Sequence, residues 1–257
     1  MNVPKKIKSA ILLLIISLAA SCCSTTQIEQ PEELPEGLRA KKEQILSNYN
    51  PSNCFVASFN ISIQNAEGSR SAVGEVRSDP ANRRLHLEFR VPYIGIKLSQ
   101  LTILEETAYV KNVQMDRMET IPVSMLQVQG MGQNSIQLPF SLFQELLYAG
   151  LPKNVSNVAK WSENQDGSVS ARISEADSTI DYHFESGHLQ QIQYNKQQTA
   201  ESIRVDLKGL RSKEPSIPSR LSVEARKAGG APEMLILDFT GVNARANCSL
   251  QQFPTSF

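Results

Sequence analysis

Residues 55–76, FVASFNISIQNAEGSRSAVGEV, decide the fold. Phe55, Ala57, Phe59, Ile61 and Ile63 alternate with Val56, Ser58, Asn60, Ser62 and Gln64, the period-two pattern of a strand with one buried face. Ala66-Glu67-Gly68-Ser69 supplies a turn, and Ala72, Gly74 and Val76 then resume the alternation against Val73, Glu75 and Arg77. A second turn at Asp79-Pro80 leads to Leu85, Leu87, Phe89 and Val91, set against His86, Glu88 and Arg90. Three strands joined by short turns predict an antiparallel meander. The same pattern returns at 96–103, 107–112, 168–174, 179–185, 189–195, 202–207, 220–225 and 234–240, giving about eleven strands with one apolar face each.

The alternation is broken in two places. Over residues 36–48, Leu38, Ile45 and Leu46 recur at helical spacing among Lys and Glu, predicting an amphipathic helix that ends at NYNPSN. Between about residues 116 and 160 the period-two pattern fails, and two short helical segments are expected. The first is 122–128, with a proline at its start. The second is LPFSLFQELLYAGLP, residues 138–152: Pro139 opens it, Phe140, Leu142, Phe143, Leu146 and Leu147 fill it, and Gly150 and Pro152 stop it. A helix apolar over most of its circumference has to be covered. A strongly curved antiparallel sheet, with this helix inside it or across its mouth, buries every apolar face.

The chain of 257 residues, 40% hydrophobic, can bury a real core. Its first residues read as an export signal. Lys5, Lys6 and Lys8 precede the apolar run 10–20, too short to span a bilayer, and Cys22 follows Leu18-Ala19-Ala20-Ser21. That arrangement resembles a bacterial lipobox, with signal peptide 1–21, Cys22 as the lipidated residue, and a polar Pro- and Glu-bearing tether over 22–35. More than one acyl chain on Cys22 would give stable anchoring. Without Lys5, Lys6 and Lys8, the 26 basic residues fall short of the 26 acidic ones, a net charge of about −3. With no basic run, nucleic acid is not an expected partner. Beyond Cys23 only Cys54 and Cys248 remain, near the two ends of the folded region. Two readings stand for them: a disulfide tying the first strand to the C-terminal tail, or two unpaired buried thiols.

Catalytic chemistry is hard to find. The sequence has no GxSxG, HExxH, Walker or dinucleotide-binding motif. His86 and His183 occupy polar positions of alternating strands and are expected at the surface; Asp116, Glu119, Asp177 and Asp181 are scattered and expected to be solvated. Nothing has metal-ligand spacing, so no enzyme, metal or cofactor is expected.

The order of these features, with RLHLEF running into VPYIGIKLS, LPFSLFQELLYAGLP, and the later IPSRLSVEA and MLILDFTGVN, resembles the LolA/LolB superfamily of bacterial lipoprotein carriers and insertases. The likeness spans roughly residues 38–246 and is greatest to LolB-like outer-membrane lipoproteins. It implies one half-barrel domain over 36–257, an incompletely closed antiparallel barrel with helices plugging the opening, whose cavity receives acyl chains. Phe55, Phe59, Ile61, Leu87, Phe89, Leu98 and Ile103, with Phe140, Phe143 and Leu147 of the lid, are the candidate cavity residues. A solid core made of the same side chains is the competing reading. The resemblance further implies that the turn Pro92-Tyr93-Ile94-Gly95 stands where LolB-like proteins have an outward Pro-Leu-Gly loop needed for lipoprotein insertion, here one residue longer. Tyr93 and Ile94 are the candidates for the outward leucine, and a tip folded under the lid helix is the alternative. Arg84 and Arg90 are candidates for the cavity arginine of the carrier members.

The expected protein is therefore anchored in the outer membrane by its N-terminal lipid and faces the periplasm. It would receive acylated lipoproteins or lipids, from a periplasmic carrier protein where there is one, and pass them to the membrane. A sensor that retains a lipid or peptide, or a structural envelope lipoprotein, are the alternatives on the same fold.

Overall fold

The computed structural model describes residues 34–49, 51, 53–113, 115–129, 137–199, 201–227, 229–245 and 248–255. The stretch 1–21 expected to be a signal peptide, the candidate lipidation residue Cys22 and all but the last two residues of the expected tether 22–35 lie outside them. Helix α1, Glu36–Asn48, buries Leu38 and Ile45. A first meander follows: β1 (Cys54–Asn65), β2 (Gly68–Asp79), β3 (Arg84–Arg90), β4 (Lys97–Leu104), β5 (Thr107–Asn112) and β6 (Arg117–Pro122). A connecting region holds a short 3-10 turn (Val123–Met125), the two-stranded ribbon β7 (Gln127–Gln129) and β8 (Gln137–Pro139), helix α2 (Ser141–Leu147) and helix α3 (Lys153–Asn157). The second meander is β9 (Lys160–Glu163), β10 (Val169–Ser174), β11 (Ser178–Glu185), β12 (His188–Lys196), β13 (Glu201–Ser212), β14 (Ile217–Arg226) and β15 (Glu233–Arg245).

All pairings are antiparallel, and they build one 13-stranded sheet in the order β6-β5-β4-β3-β2-β1-β15-β14-β13-β12-β11-β10-β9. Strands β6 and β9 stay unpaired on their outer sides within this sheet, so it curves without closing. The seam between the two meanders is β1 on β15, running from Cys54↔Arg245 to Gln64↔Met234 with a bulge at Ser58/Phe59. Cys54 and Cys248 form a disulfide at one end of that seam, Cα to Cα 5.8 Å.

The alternation places apolar pairs in register across the seam, Phe59 opposite Phe239 and Ile61 opposite Leu237, then Leu221 opposite Leu237 and Leu207 opposite Leu221. Phe59 meets Phe89 and Phe239 edge to face, each at 5.9 Å between ring centroids. Gly74 makes this possible, since a Cβ there would collide with the Phe59 ring.

Two expectations need correction. The sheet has two strands more than anticipated, β6 and β9. Strand β6 lies at an edge with Arg117, Met118, Glu119 and Thr120 all exposed, so it has no buried face to produce an alternation. Strand β9 has four residues, of which only Trp161 is buried, too few to display a period. The helix expected over 122–128 is instead the single 3-10 turn Val123–Met125 running into β7.

Candidate functional site

Phe140 and Phe143 together with Leu147 bring the apolar side of α2 onto the concave face of the sheet. There they meet Phe59, Ile61, Leu87, Phe89, Leu221, Leu235 and Leu237 around a cavity of about 90 Å³ lined by apolar side chains. Seven of these ten residues are among the sequence candidates; Leu221, Leu235 and Leu237 come from the second meander, whose alternation is equally plain but carries no sign that β15 pairs with β1. Ile61, Phe89 and Leu237 are only half-buried and mark the mouth of the cavity. Phe55 and Ile103 are fully buried and fill solid core. Leu98 does not line the cavity: it sits next to the bulge between β3 and β4 and has the opposite parity to Leu101 and Ile103, so a regular strand turns it to the other face.

The lid is latched. Arg83, in the β2–β3 turn, donates from Nη2 to Glu145 Oε1 at 2.6 Å and from Nη1 to Oε2 at 3.3 Å. The same guanidinium lies 5.0 Å from the centre of the Tyr148 ring. Arg83 thus holds both the side and the C-terminal end of α2. Arg84 and Arg90, the sequence candidates for a cavity arginine, point away from the cavity; Arg84 pairs with Asp79 at 3.7 Å and Arg90 with Glu88. Both stand at even positions of β3, on the face opposite to Leu85, Leu87 and Phe89.

On that outer face of β3 and β4 lies a polar cluster. His86 shares a hydrogen bond of 2.9 Å between Nδ1 and Thr102 Oγ1, and Gln100 donates to Glu88 at 2.8 Å. His86 was expected at the surface and is in fact buried; neighbouring strands carry long side chains, so the polar face of a curved sheet does not guarantee contact with water. Burial, then the nearby Arg77, pushes the imidazole down to about 4. Burial alone would raise Glu88, but hydrogen bonds from Lys97, Arg90 and Gln100 overcome it and hold the carboxyl at about 2.

Beyond Arg90 the chain leaves the sheet. The turn Pro92-Tyr93-Ile94-Gly95 is closed by Val91 N–H to Ile96 O at 2.8 Å and Gly95 N–H to Val91 O at 3.0 Å. Its tip is not folded under the lid: Tyr93 is 109% exposed and Ile94 70%. Tyr93 has φ +65°, a left-handed conformation that a bulky residue adopts only under constraint. The antiparallel order puts the β5–β6 turn at the same end of the sheet, and there Met115 is 74% exposed and Met118 also projects. Ile96 completes a group of five exposed apolar side chains on two adjacent turns and the start of β6. No periodic signal marks the methionines, because they sit on a turn and an edge strand.

No protein-family model and no curated protein matches the sequence. Solved structures do match its fold. A LolA superfamily protein from Nitrosomonas europaea aligns with a TM-score of 0.54 at 11% identity, covering 84% of this chain and 97% of that one. A candidate outer membrane lipoprotein-sorting protein domain from Vibrio parahaemolyticus aligns with a TM-score of 0.58 at 8% identity, covering 84% and 94%. A DUF1329 family protein from Desulfovibrio piger gives 0.56 at 9%, covering 84% and 97%. The chain has the incompletely closed barrel fold of the LolA superfamily.

Proposed function

We propose that this is a lipid-anchored envelope protein that takes the acyl chains of a lipoprotein, or of a comparable lipid, into its half-barrel and releases them to the outer membrane. In this reading residues 1–21 are removed, Cys22 is acylated, 22–35 is the tether and 36–257 is the single working domain. The carrying observation is the apolar cavity under a latched helix.

The cavity as it stands is open at its mouth but small. Ligand sites hold roughly 300–1,000 Å³, well above the ~90 Å³ here. Acyl entry therefore needs α2 to swing away from the sheet. Exposing Phe140, Phe143 and Leu147 costs about 1.5–3 kcal/mol each, so without cargo α2 stays down on the sheet. An acyl chain of roughly a dozen methylenes regains ~10 kcal/mol when buried, at ~0.8 kcal/mol per methylene, which is enough to hold the lid open. No bond is made or broken, since the cargo only moves between apolar surroundings.

Release is assigned to the exposed end of the sheet. The half-buried Phe89 connects the cavity mouth to the tip, and Tyr93, Ile94 and Ile96 can enter the headgroup region with Met115 and Met118 beside them. The test presents an acylated lipoprotein on a soluble carrier to vesicles, with and without protein lacking residues 1–23. Transfer in its presence is the expected result. Failure to bind any acylated cargo sinks the reading, and cargo bound but never released to vesicles favours a sensor.

A further inference from the structure

We propose that the protein has a second ligand site, at the other end of the strands from the tip, which takes a single-chain amphiphile with an oxyanion head. A cavity of about 300 Å³ lies between the start of β12, the end of β13, the start of β14 and the C-terminal side of the lid. It is separate from the cavity under α2, and the two share no lining residue. Leu207 and Leu221 stand side by side in register, the first facing this space and the second facing the other. Leu146 and Leu147 divide the lid between them in the same way.

The body of this second cavity is aliphatic, built from Leu146, Leu189, Leu207 and Leu210, and its volume suits one chain rather than several. Its neck is polar. Tyr49 accepts the Leu189 N–H at 2.7 Å and lies beside Ser216. His188 Nδ1 is buried there with no hydrogen-bond partner among the described residues. A buried ring nitrogen left unmatched is costly and marks a place where a ligand atom would be favoured. His188 and Ser216 also line a wider groove of about 600 Å³ that carries Lys213 and Glu214. A chain in the apolar body would put its head at this neck, within reach of the Ser216 hydroxyl, the His188 ring N–H in the tautomer protonated at Nδ1, and the Lys213 ammonium at the rim. These are donors, and together they suit a carboxylate or phosphate; Glu214 on the same rim opposes a second negative charge and favours a head with a single one. This site does not depend on the lipoprotein-transfer reading, because none of its residues belongs to the lid cavity or the tip.

The experiment uses the acylated full-length protein in nanodiscs and three photoreactive dodecyl probes: a fatty acid, a lysophosphatidylcholine and a fatty alcohol. Labelled peptides are mapped by mass spectrometry. Labelling of 188–190 and 207–218 by one or both oxyanion probes, with the alcohol about tenfold weaker, is expected; which of the two labels identifies the source as free acid or phospholipid. H188L should cut oxyanion labelling about tenfold and leave the alcohol unchanged, while L210W should reduce all three. Unchanged melting curves establish that both variants fold. Equal labelling by the alcohol, labelling confined to Phe59 and Phe143, or no effect of H188L overturns the proposal. A variant with Tyr93→Glu and Ile94→Glu, impaired in transfer, should label normally, which separates failure of this site from failure of the transfer reading.

Discussion

At the scale of single residues, Tyr93 and His86 show how position outweighs residue type. Tyr93 holds a left-handed φ while its ring projects into solvent, so neither the backbone nor the ring gains stability from being there. That combination belongs to a site kept for contact with something else. Tyr93→Gly should raise stability in urea by about 0.5–1 kcal/mol, because glycine enters this region freely. Replacing Tyr93 and Ile94 together with Glu should leave stability within about 0.5 kcal/mol while abolishing transfer to vesicles; a large fall in melting temperature would place the tip in the core instead. His86 behaves in the opposite manner, a polar residue at a polar strand position that is nevertheless buried. Its folded pKa of about 4 lies below the unfolded value of about 6.5. The neutral ring therefore contributes stability above pH 6.5, and this is lost as pH falls from 6.5 towards 4, by an amount on the order of 3 kcal/mol. Glu88, held at about 2, continues the loss from about pH 4.5 downward. Urea titrations of His86→Phe at pH 7 and pH 4.5 should show most of the wild-type difference between them removed. The alternation reveals which face His86 takes, but not that its neighbours shield that face.

At the scale of elements, the lid is the part whose position was readable and whose fastening was not. Its proline and glycine punctuation and its apolar circumference require a short covered helix, and α2 is one. The latch is different, because Arg83 and Glu145 are 62 residues apart and nothing local links them. Edge strand β6 was invisible for a related reason: an element with no buried face writes no pattern. The candidate Leu98 failed on parity alone, since it is five residues from Ile103 and an odd spacing cannot share a strand face. The latch carries its own prediction. Arg83 has φ +51°, which asparagine tolerates, so Arg83→Asn removes the ion pair without straining the turn. Loss of the paired guanidinium next to the largely buried Glu145 should cost about 1–2 kcal/mol and let the lid open more often. A fluorescent fatty acyl probe should then enter several-fold faster; unchanged uptake would mean that the ion pair does not gate the cavity.

At the scale of the whole molecule, the two meanders are each legible from alternation, but their union is not. Pairing the first strand with the last joins residues nearly 200 apart in sequence, and no periodic signal specifies it. The cysteines were the only clue, and two positions near the chain ends fit a bonded pair or two thiols equally well until β1 and β15 are seen side by side. The placement of the disulfide explains its value. It closes a span of 194 residues at the end of the one seam that turns two half-sheets into a single curved surface. Cross-linking so long a loop restricts the unfolded chain most, and removing such a bond typically costs 2–5 kcal/mol. The cavity straddles this seam, with Phe59 and Ile61 on one side and Leu235 and Leu237 on the other. Reduction should therefore lower the melting temperature and weaken acyl binding together, whereas reduction of a double Cys54→Ser, Cys248→Ser variant should change neither. If reduced wild-type protein melts lower but binds an acyl probe with unchanged affinity, the seam holds the fold without shaping the cavity, and the cavity must then be organised by the lid and the β2–β3 turn alone.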